Sequence, residues 1–406
     1  MTKLAIPTLR GEFRDGWTII LGAALAAGTG VGMVFLNFSL FILPLSRELG
    51  VSRGDLGSVQ ALIVTAALGA PLCGRAADHF GVRAVFVACT LLVAATHILA
   101  ASFASSLVHM AVSIGLTGFF GIGSTAVILT RPINAHFVTH RGKALGVMAV
   151  GISVVSMASP PLVQWLLETW GWRAGFVGFA AVSILIGIPA VLFLLPSDHK
   201  TKRQITHISD LNLDAARHFL LERDFWLLTL SLIAMSLATA GTVSQLAPMI
   251  VDEGIDPAKA ALALSFFAGG QFVGRLAGGW LLDVLEPRLV AFFLTLMPAI
   301  GFIILLGTHE IMFAAFMAAV IIGVQQGAEL DIFAYFKSHR FGLARYGTIY
   351  GALAGFGWIG NVGGMVGMGQ LYDHYGNYMP AQIMGIIALI LSALLILAVR
   401  LPVSRS

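Results

Sequence analysis

Apolar runs of about 20 residues, separated by short polar stretches, recur along the whole chain. Their approximate limits are 17–44, 56–77, 84–103, 107–131, 144–166 and 174–195, then 225–250, 259–282, 288–307, 310–334, 346–371 and 379–400. A predominantly apolar run of about 20 residues is long enough to cross a bilayer as a helix, so the pattern predicts twelve spans. The most polar segment falls midway. In it Lys200, Lys202 and Arg203 precede an amphipathic stretch, LNLDAARHFLLERDF, which reads as a cytoplasmic linker lying partly on the membrane surface. The expected organisation is an all-α membrane protein: a tail 1–16, a six-helix bundle 17–195, the linker 196–224, a second six-helix bundle 225–400 and a tail 401–406.

The two sets of six spans are copies of one another. At an offset of 205 residues, Gly69, Gly74, Asp78 and Arg83 stand opposite Gly274, Gly279, Asp283 and Arg288, and Gly142, Gly146 and Gly171 stand opposite Gly347, Gly351 and Gly376. Two segments matched at one offset mark a tandem repeat, hence two pseudo-symmetric halves. The copies part company in charge. Opposite Arg275 stands Ala70, and opposite Glu329 and Asp331 stand Ser124 and Ala126.

Composition agrees with a polytopic membrane protein: 58% of the 406 residues are hydrophobic and 11% charged, with a mean hydropathy of +0.90. The net charge of +4 does not imply nucleic acid, because the basic residues sit in short loops between apolar spans. With both termini cytoplasmic, the inner segments hold nineteen of the 24 Lys and Arg. The outer loops hold Arg47, Arg53, Arg173 and Lys259, and Arg275 remains inside a span. Lys3, Arg10 and Arg14 precede a long first span without a small-residue cleavage site, so a retained first helix is expected. Cys73 and Cys89 fall in spans and are read as packing residues.

Two six-span halves and the turn GRAADHFGVR resemble the major facilitator superfamily over essentially the whole chain. That family carries a G-x-x-x-D-x-x-G-x-[RK] pattern between spans 2 and 3, here Gly74, Asp78, Gly81 and Arg83. Gly74 allows close helix approach, and Asp78 and Arg83 are expected to form cytoplasmic ion pairs that hold one conformer. The second copy keeps Asp283 and Arg288 but has Glu286 in place of its second glycine. Asp15-Gly16-Trp17, Arg275 in span 8 and LYDHYGNY after span 11 resemble the monocarboxylate transporters and the related oxalate/formate antiporters. The resemblance implies that Arg275 binds a substrate carboxylate; where that family has an acid one turn earlier, this chain has Gln271.

The remaining intramembrane charges are Glu329 and Asp331. Arg275 lies eight residues above Asp283 and Glu329 eight above Lys337, each about 12 Å at about 1.5 Å per residue, so they share a depth. The two acids, about 200° apart around one helix, do not face the same surroundings. Intramembrane charges cost at least about 2.5–3.5 kcal/mol each and are functional candidates by default. One arginine facing two carboxylates leaves a surplus acid, which either meets a further cation such as Arg131 or holds a proton. His97 and His109 are read as packing or headgroup residues. Glycine clusters in spans 1, 4 and 11 serve tight packing or, alternatively, seams that slide.

The expected protein is a secondary carrier of a small organic anion, a monocarboxylate, with proton symport. Arg275 would bind the carboxylate, Gln271 and Asn37 would orient it, and Phe35, Phe38 and Phe267 would wall the rest. Glu329 or Asp331 would carry the proton, while Gly74, Asp78, Arg83, Asp283 and Arg288 would gate. The expected partners are the anion, a proton and the lipid bilayer; no cofactor, metal or nucleic acid is implied, and a monomer is compatible with this reading. Proton-free anion exchange is the alternative, and a non-transporting receptor a remoter one. An enzyme is disfavoured, since no HExxH or GxSxG motif is present.

Overall fold

The computed structural model describes residues 9–196, 219–307, 311–341 and 346–400. The expected linker pattern at 211–225 lies mostly outside them. Eleven described helical segments are long and apolar enough to cross a membrane, and the 30-residue glycine-rich helix Tyr346–Tyr375 supplies the remaining expected span.

In chain order the helices are α1 (Leu9–Gly28), α2 (Val31–Leu49), α3 (Arg53–Ala61), α4 (Ala66–Phe80), α5 (Val82–Phe103), α6 (Leu107–Gly121), α7 (Ala126–His136), α8 (Arg141–Trp170) and α9 (Trp172–Val182). Wider turns carry α9 on through Ser183–Gly187 and Ala190–Leu194. Then follow α10 (Arg223–Asp252), α11 (Pro257–Val284), α12 (Pro287–Leu306), α13 (Met312–Phe341), α14 (Tyr346–Tyr375) and α15 (Met379–Leu397).

Three spans expected to be continuous α-helices are interrupted. Span 1 breaks between α1 and α2, span 2 between α3 and α4, where a 3-10 turn covers Leu62–Thr65, and span 4 between α6 and α7, where another covers Ile122–Ser124. Interruptions inside a membrane persist only where the freed backbone groups find partners, and here side chains supply them. Ser124 Oγ accepts from Val31 N at 3.2 Å and donates to the Gly121 carbonyl at 2.7 Å, while Thr29 Oγ1 donates to the Leu25 carbonyl at 2.8 Å. The counterpart of span 4 in the second half, α13, runs unbroken for 30 residues.

The sequence repeat has a visible backbone cause. Gly171 and Gly376, a matched pair, both take positive φ, at 79° and 72°, a conformation that a side chain disfavours. The turn at Gly81 is likewise left-handed, with φ 91°. Its counterpart closes differently: Glu286 Oε2 accepts from Leu289 N at 2.8 Å and caps α12, so no glycine is needed there.

The described residues form two compact units, one from those within 1–38 and 62–206, the other from those within 39–61 and 207–406. Within the first, Phe86, Phe137, Ile128 and Met148 belong to the apolar core. Glu12 anchors one end of it, accepting from the main-chain N–H of Val138, Thr139 and His140 where α8 begins. Cys73 and Cys89 are free, with their sulfurs 3.8 Å apart, well beyond the about 2.05 Å of a disulfide. His97 packs against Phe176 and Phe179, with Nε2 3.3 Å from Thr117 Oγ1.

In the second unit helices meet backbone to backbone. A Cβ on Gly270, Gly274 or Gly278 of α11 would strike Val320, Val324 or Ala328 of α13, and one on Gly323 or Gly327 would strike Phe267 or Gln271. This is the small-xxx-small packing that membrane helices use in place of a hydrophobic drive. Gly360 and Gly364 of α14 meet Ile233 and Leu237 of α10 in the same way, whereas Gly355 and Gly367 have nothing near them. Gly274→Leu is therefore expected to cost well above the about 1–3 kcal/mol of ordinary overpacking, because the Val324 main chain cannot step aside. Gly279→Ala, which would meet only Asp331 Oδ2 at 3.9 Å, should be tolerated. Monodisperse protein on size-exclusion chromatography in detergent checks both variants, and equal yields would refute the contrast.

Candidate functional site

The α11–α13 seam positions the intramembrane charges. Arg275 follows Gly274, which touches the Val324 main chain, and Gly278, one turn on, brings the backbone to Ala328. A Cβ at Gly278 would lie 3.5 Å from Asp331 Oδ2, so Asp331 faces α11 across the seam. Asp331 and Arg275 are the counter-charges that act on each other. The guanidinium is partly buried, and its Nε has no hydrogen-bond acceptor among the described residues. A cleft of about 370 Å³ runs along the same seam, lined by Gly279, Leu282, Asp283, Asp331, Ala334, Tyr335 and Ser338.

Glu329 has different company. Its counter-charge is Lys337, two turns further along α13. Lys337 is only 4% exposed, and its four-carbon stem allows the ammonium to reach back toward the acid. Of the two outcomes expected for the second acid, a further cation or a held proton, the structure offers a cation, Lys337 in place of Arg131. Lys337 was a marker of the cytoplasmic end in the sequence and gave no sign of turning inward. Arg131 does not join these charges, since it is committed within the first unit.

The other expected binding residues divide. Gln271 is partly buried one turn before Arg275, and its main chain lies against Gly327. Phe267 and Phe38 are each 1% exposed and belong to the packed interior; Phe35 alone of the three rings keeps some exposed surface. Asn37, in the first unit, spends both amide hydrogens: Nδ2 donates to the Met33 carbonyl at 2.7 Å and to Ser159 Oγ at 2.9 Å. Only its Oδ1 is left unpartnered, and an acceptor has no hydrogen to give a carboxylate. In this structure Asn37 bonds α2 to α8 and is not poised to donate to an anion.

The gating residues are also redistributed. Asp78 pairs with Arg131, not Arg83: Arg131 Nη1 lies 2.6 Å from Asp78 Oδ1, and Nη2 donates to the Gly74 carbonyl at 3.3 Å. Arg83 donates instead to the Leu195 carbonyl at the end of span 6, a main-chain group the sequence could not nominate. The Asp78 and Arg131 side chains are 48% and 33% exposed, and such pairs are worth about 0–1 kcal/mol. That is too little to hold the fold, yet enough to bias two conformers. Asp78→Asn is thus expected to slow turnover several-fold while leaving substrate affinity within about twofold. Kinetics in proteoliposomes would contradict this by showing unchanged turnover with lost affinity. In the second copy Asp283 lines the cleft and Arg288 sits in the first turn of α12.

A repeated scaffold of long apolar helices, carrying a partly buried arginine opposite a carboxylate beside a cleft, has the organisation of a solute carrier. The sequence profile of the Major Facilitator Superfamily matches residues 20–364, and the chain belongs to that superfamily. Among similar proteins, Monocarboxylate transporter 13 of Rattus norvegicus is 29% identical over 381 residues, covering 89% of this chain and 84% of that one. Monocarboxylate transporter 11 of Homo sapiens is 28% identical over 301 residues, covering 71% and 61%. The chain is thus related to the monocarboxylate transporter branch, whose members are transporters and not enzymes. Solved structures show the same fold. The xylose transporter XylE of E. coli, in an inward open conformation, superposes with a TM-score of 0.71 at 15% identity over 97% of this chain and 98% of that one. The nucleoside transporter NupG gives 0.74 at 16% identity over 94% and 98%.

Proposed function

We propose that this carrier moves a small monocarboxylate together with a proton. Two six-helix halves, 17–195 and 225–400, would rock about a central site in the cell membrane, plasma or inner, with both termini cytoplasmic. The observation that carries the reading is Arg275 facing Asp331 at the α11–α13 seam beside a cleft. A guanidinium binds carboxylates through a planar fork. A substrate carboxylate arriving at Arg275 takes over the charge of Asp331, and Asp331, losing its counter-ion, takes up a proton. Proton and anion then travel as a neutral pair. Gln271, one turn from Arg275, orients the anion. Asp331 is preferred over Glu329 as the proton carrier because Glu329 keeps its own cation, Lys337.

Uptake by proteoliposomes of a panel of labelled two- to four-carbon carboxylates tests this. Uphill accumulation driven by an inward proton gradient is expected for at least one of them. Accumulation driven only by a second anion on the opposite side, at clamped pH, would replace symport with exchange. Failure of the whole panel would remove the substrate class.

A further inference from the structure

Arg53 was an ordinary outer-loop cation in the sequence, yet in the second unit its side chain is bonded to two other residues and stacked on a ring. Its guanidinium grips Asp252, at the end of α10, through both nitrogens: Nη1 to Oδ2 at 2.6 Å and Nη2 to Oδ1 at 2.9 Å. Nη1 also donates to the Tyr378 hydroxyl at 2.9 Å, and the guanidinium carbon lies 3.9 Å above the Tyr372 ring centre. The Tyr378 hydroxyl passes its own hydrogen to Gln245 Oε1 at 2.9 Å. Burial raises its pKa against the opposing pull of Arg53, so it stays a neutral donor.

A second bond runs independently of that side chain. Asp373, at the end of α14, accepts from the main-chain N–H of Arg53 at 3.1 Å and of Gly54 at 2.8 Å, capping α3 from another helix. The approach is close: a Cβ on Gly54 would strike Asp373 and Gln370, and one on Gly369 would meet the Arg53 carbonyl at 2.6 Å. Two carboxylates from two helices therefore hold one point of the chain, through the guanidinium and through the backbone.

The segment so held is Ser39–Ala61, the end of α2 and all of α3. It packs with the second unit, although the chain on both sides of it belongs to the first. Met249, 3% exposed, and Met368 pack in one cluster with Tyr378 and Tyr372, the two rings that hold the Arg53 guanidinium. The ion pair that pins this segment keeps its side chains 13% and 30% exposed, so water can take up both charges when it opens.

We infer that Arg53, Asp252 and Asp373 form a latch that closes the outer end of the carrier over Met249, and that its release is a step of the transport cycle. The inference rests on the orientation proposed above but not on the identity of the substrate. Partly desolvated bidentate pairs carry more energy than exposed ones, and coupling energies between conformers of about 1–3 kcal/mol correspond to about 5- to 150-fold in population.

The test uses full-length protein in which Cys73→Ser and Cys89→Ser remove the native thiols and Met249→Cys reports access. A membrane-impermeant maleimide is added to intact cells. Slow labelling is expected in the parent, and labelling about tenfold faster in Arg53→Ala and in the milder Asp252→Asn, should Arg53→Ala fail to fold. Arg47→Ala, which removes an exposed outer-loop cation, should match the parent. Unchanged labelling in both latch variants would overturn the inference, as would an equal rise in Arg47→Ala. A rise confined to inside-out vesicles would uphold the latch and overturn the orientation.

Discussion

Arg275→Ala is expected to abolish carboxylate uptake while leaving the protein folded. Removing one member of a desolvated charge pair costs about 2–5 kcal/mol, at least about 30-fold in affinity, and here the lost partner is the arginine that acts on Asp331 across the α11–α13 seam. Folding should survive because Asp331, the residue left behind, lines an open cleft where water or a proton can compensate it. Arg275→Lys should recover little. An ammonium is a point charge that cannot reproduce the planar fork, and the unpaired Nε of Arg275 would have no counterpart. Proteoliposome uptake together with thermal stability in detergent separates the two effects. Near wild-type uptake by Arg275→Ala would end the binding role, whereas loss of folded protein would show the pair to be structural.

Much of this was legible because the bilayer imposes its constraints on composition. Twelve spans follow from hydropathy alone, and matched glycines such as Gly171 and Gly376 betray the repeat because positive φ excludes other residues. Arg275 stood out because a charge in a span is costly. What the sequence concealed is mostly a matter of direction. Lys337 and Arg53 sit near span ends, where cations ordinarily reach outward, and only packing reveals that one is buried and the other grips Asp252. The helix breaks at Thr29 and Thr125 were hidden for a related reason. Isolated glycines and hydroxyls are compatible with continuous helices, and the deciding contact, Ser124 Oγ with Val31 N, joins residues 93 apart. Arg83 misled because its partner is a carbonyl, and a sequence does not record which carbonyls end a helix unsatisfied.

Asp331→Asn and Glu329→Gln, two residues apart on one helix, are expected to fail in opposite ways. Asp331 is the acid opposite Arg275. With an amide there, the guanidinium is permanently ready for a substrate carboxylate, so counterflow exchange, which needs no net proton movement, should persist. Accumulation driven by a proton gradient should collapse toward equilibrium, because no group remains to take up the proton as the anion binds. Glu329→Gln instead removes a counter-charge that acts on Lys337, which is 4% exposed. Leaving such a cation without its carboxylate costs about 3–5 kcal/mol, so the expected phenotype is poor yield and a lowered melting temperature. Replacing both partners by neutral groups of similar shape, Glu329→Gln with Lys337→Met, should restore folded protein, since the uncompensated buried charge and not the lost pair carries most of that cost. Three measurements decide the matter: counterflow, gradient-driven uptake and melting temperature. Should the Asp331→Asn protein still drive its substrate uphill with protons, the α11–α13 seam would not be the coupling site and anion exchange would become the better reading. Should Lys337→Met fail to rescue Glu329→Gln, the acid would owe its importance to something other than its lysine.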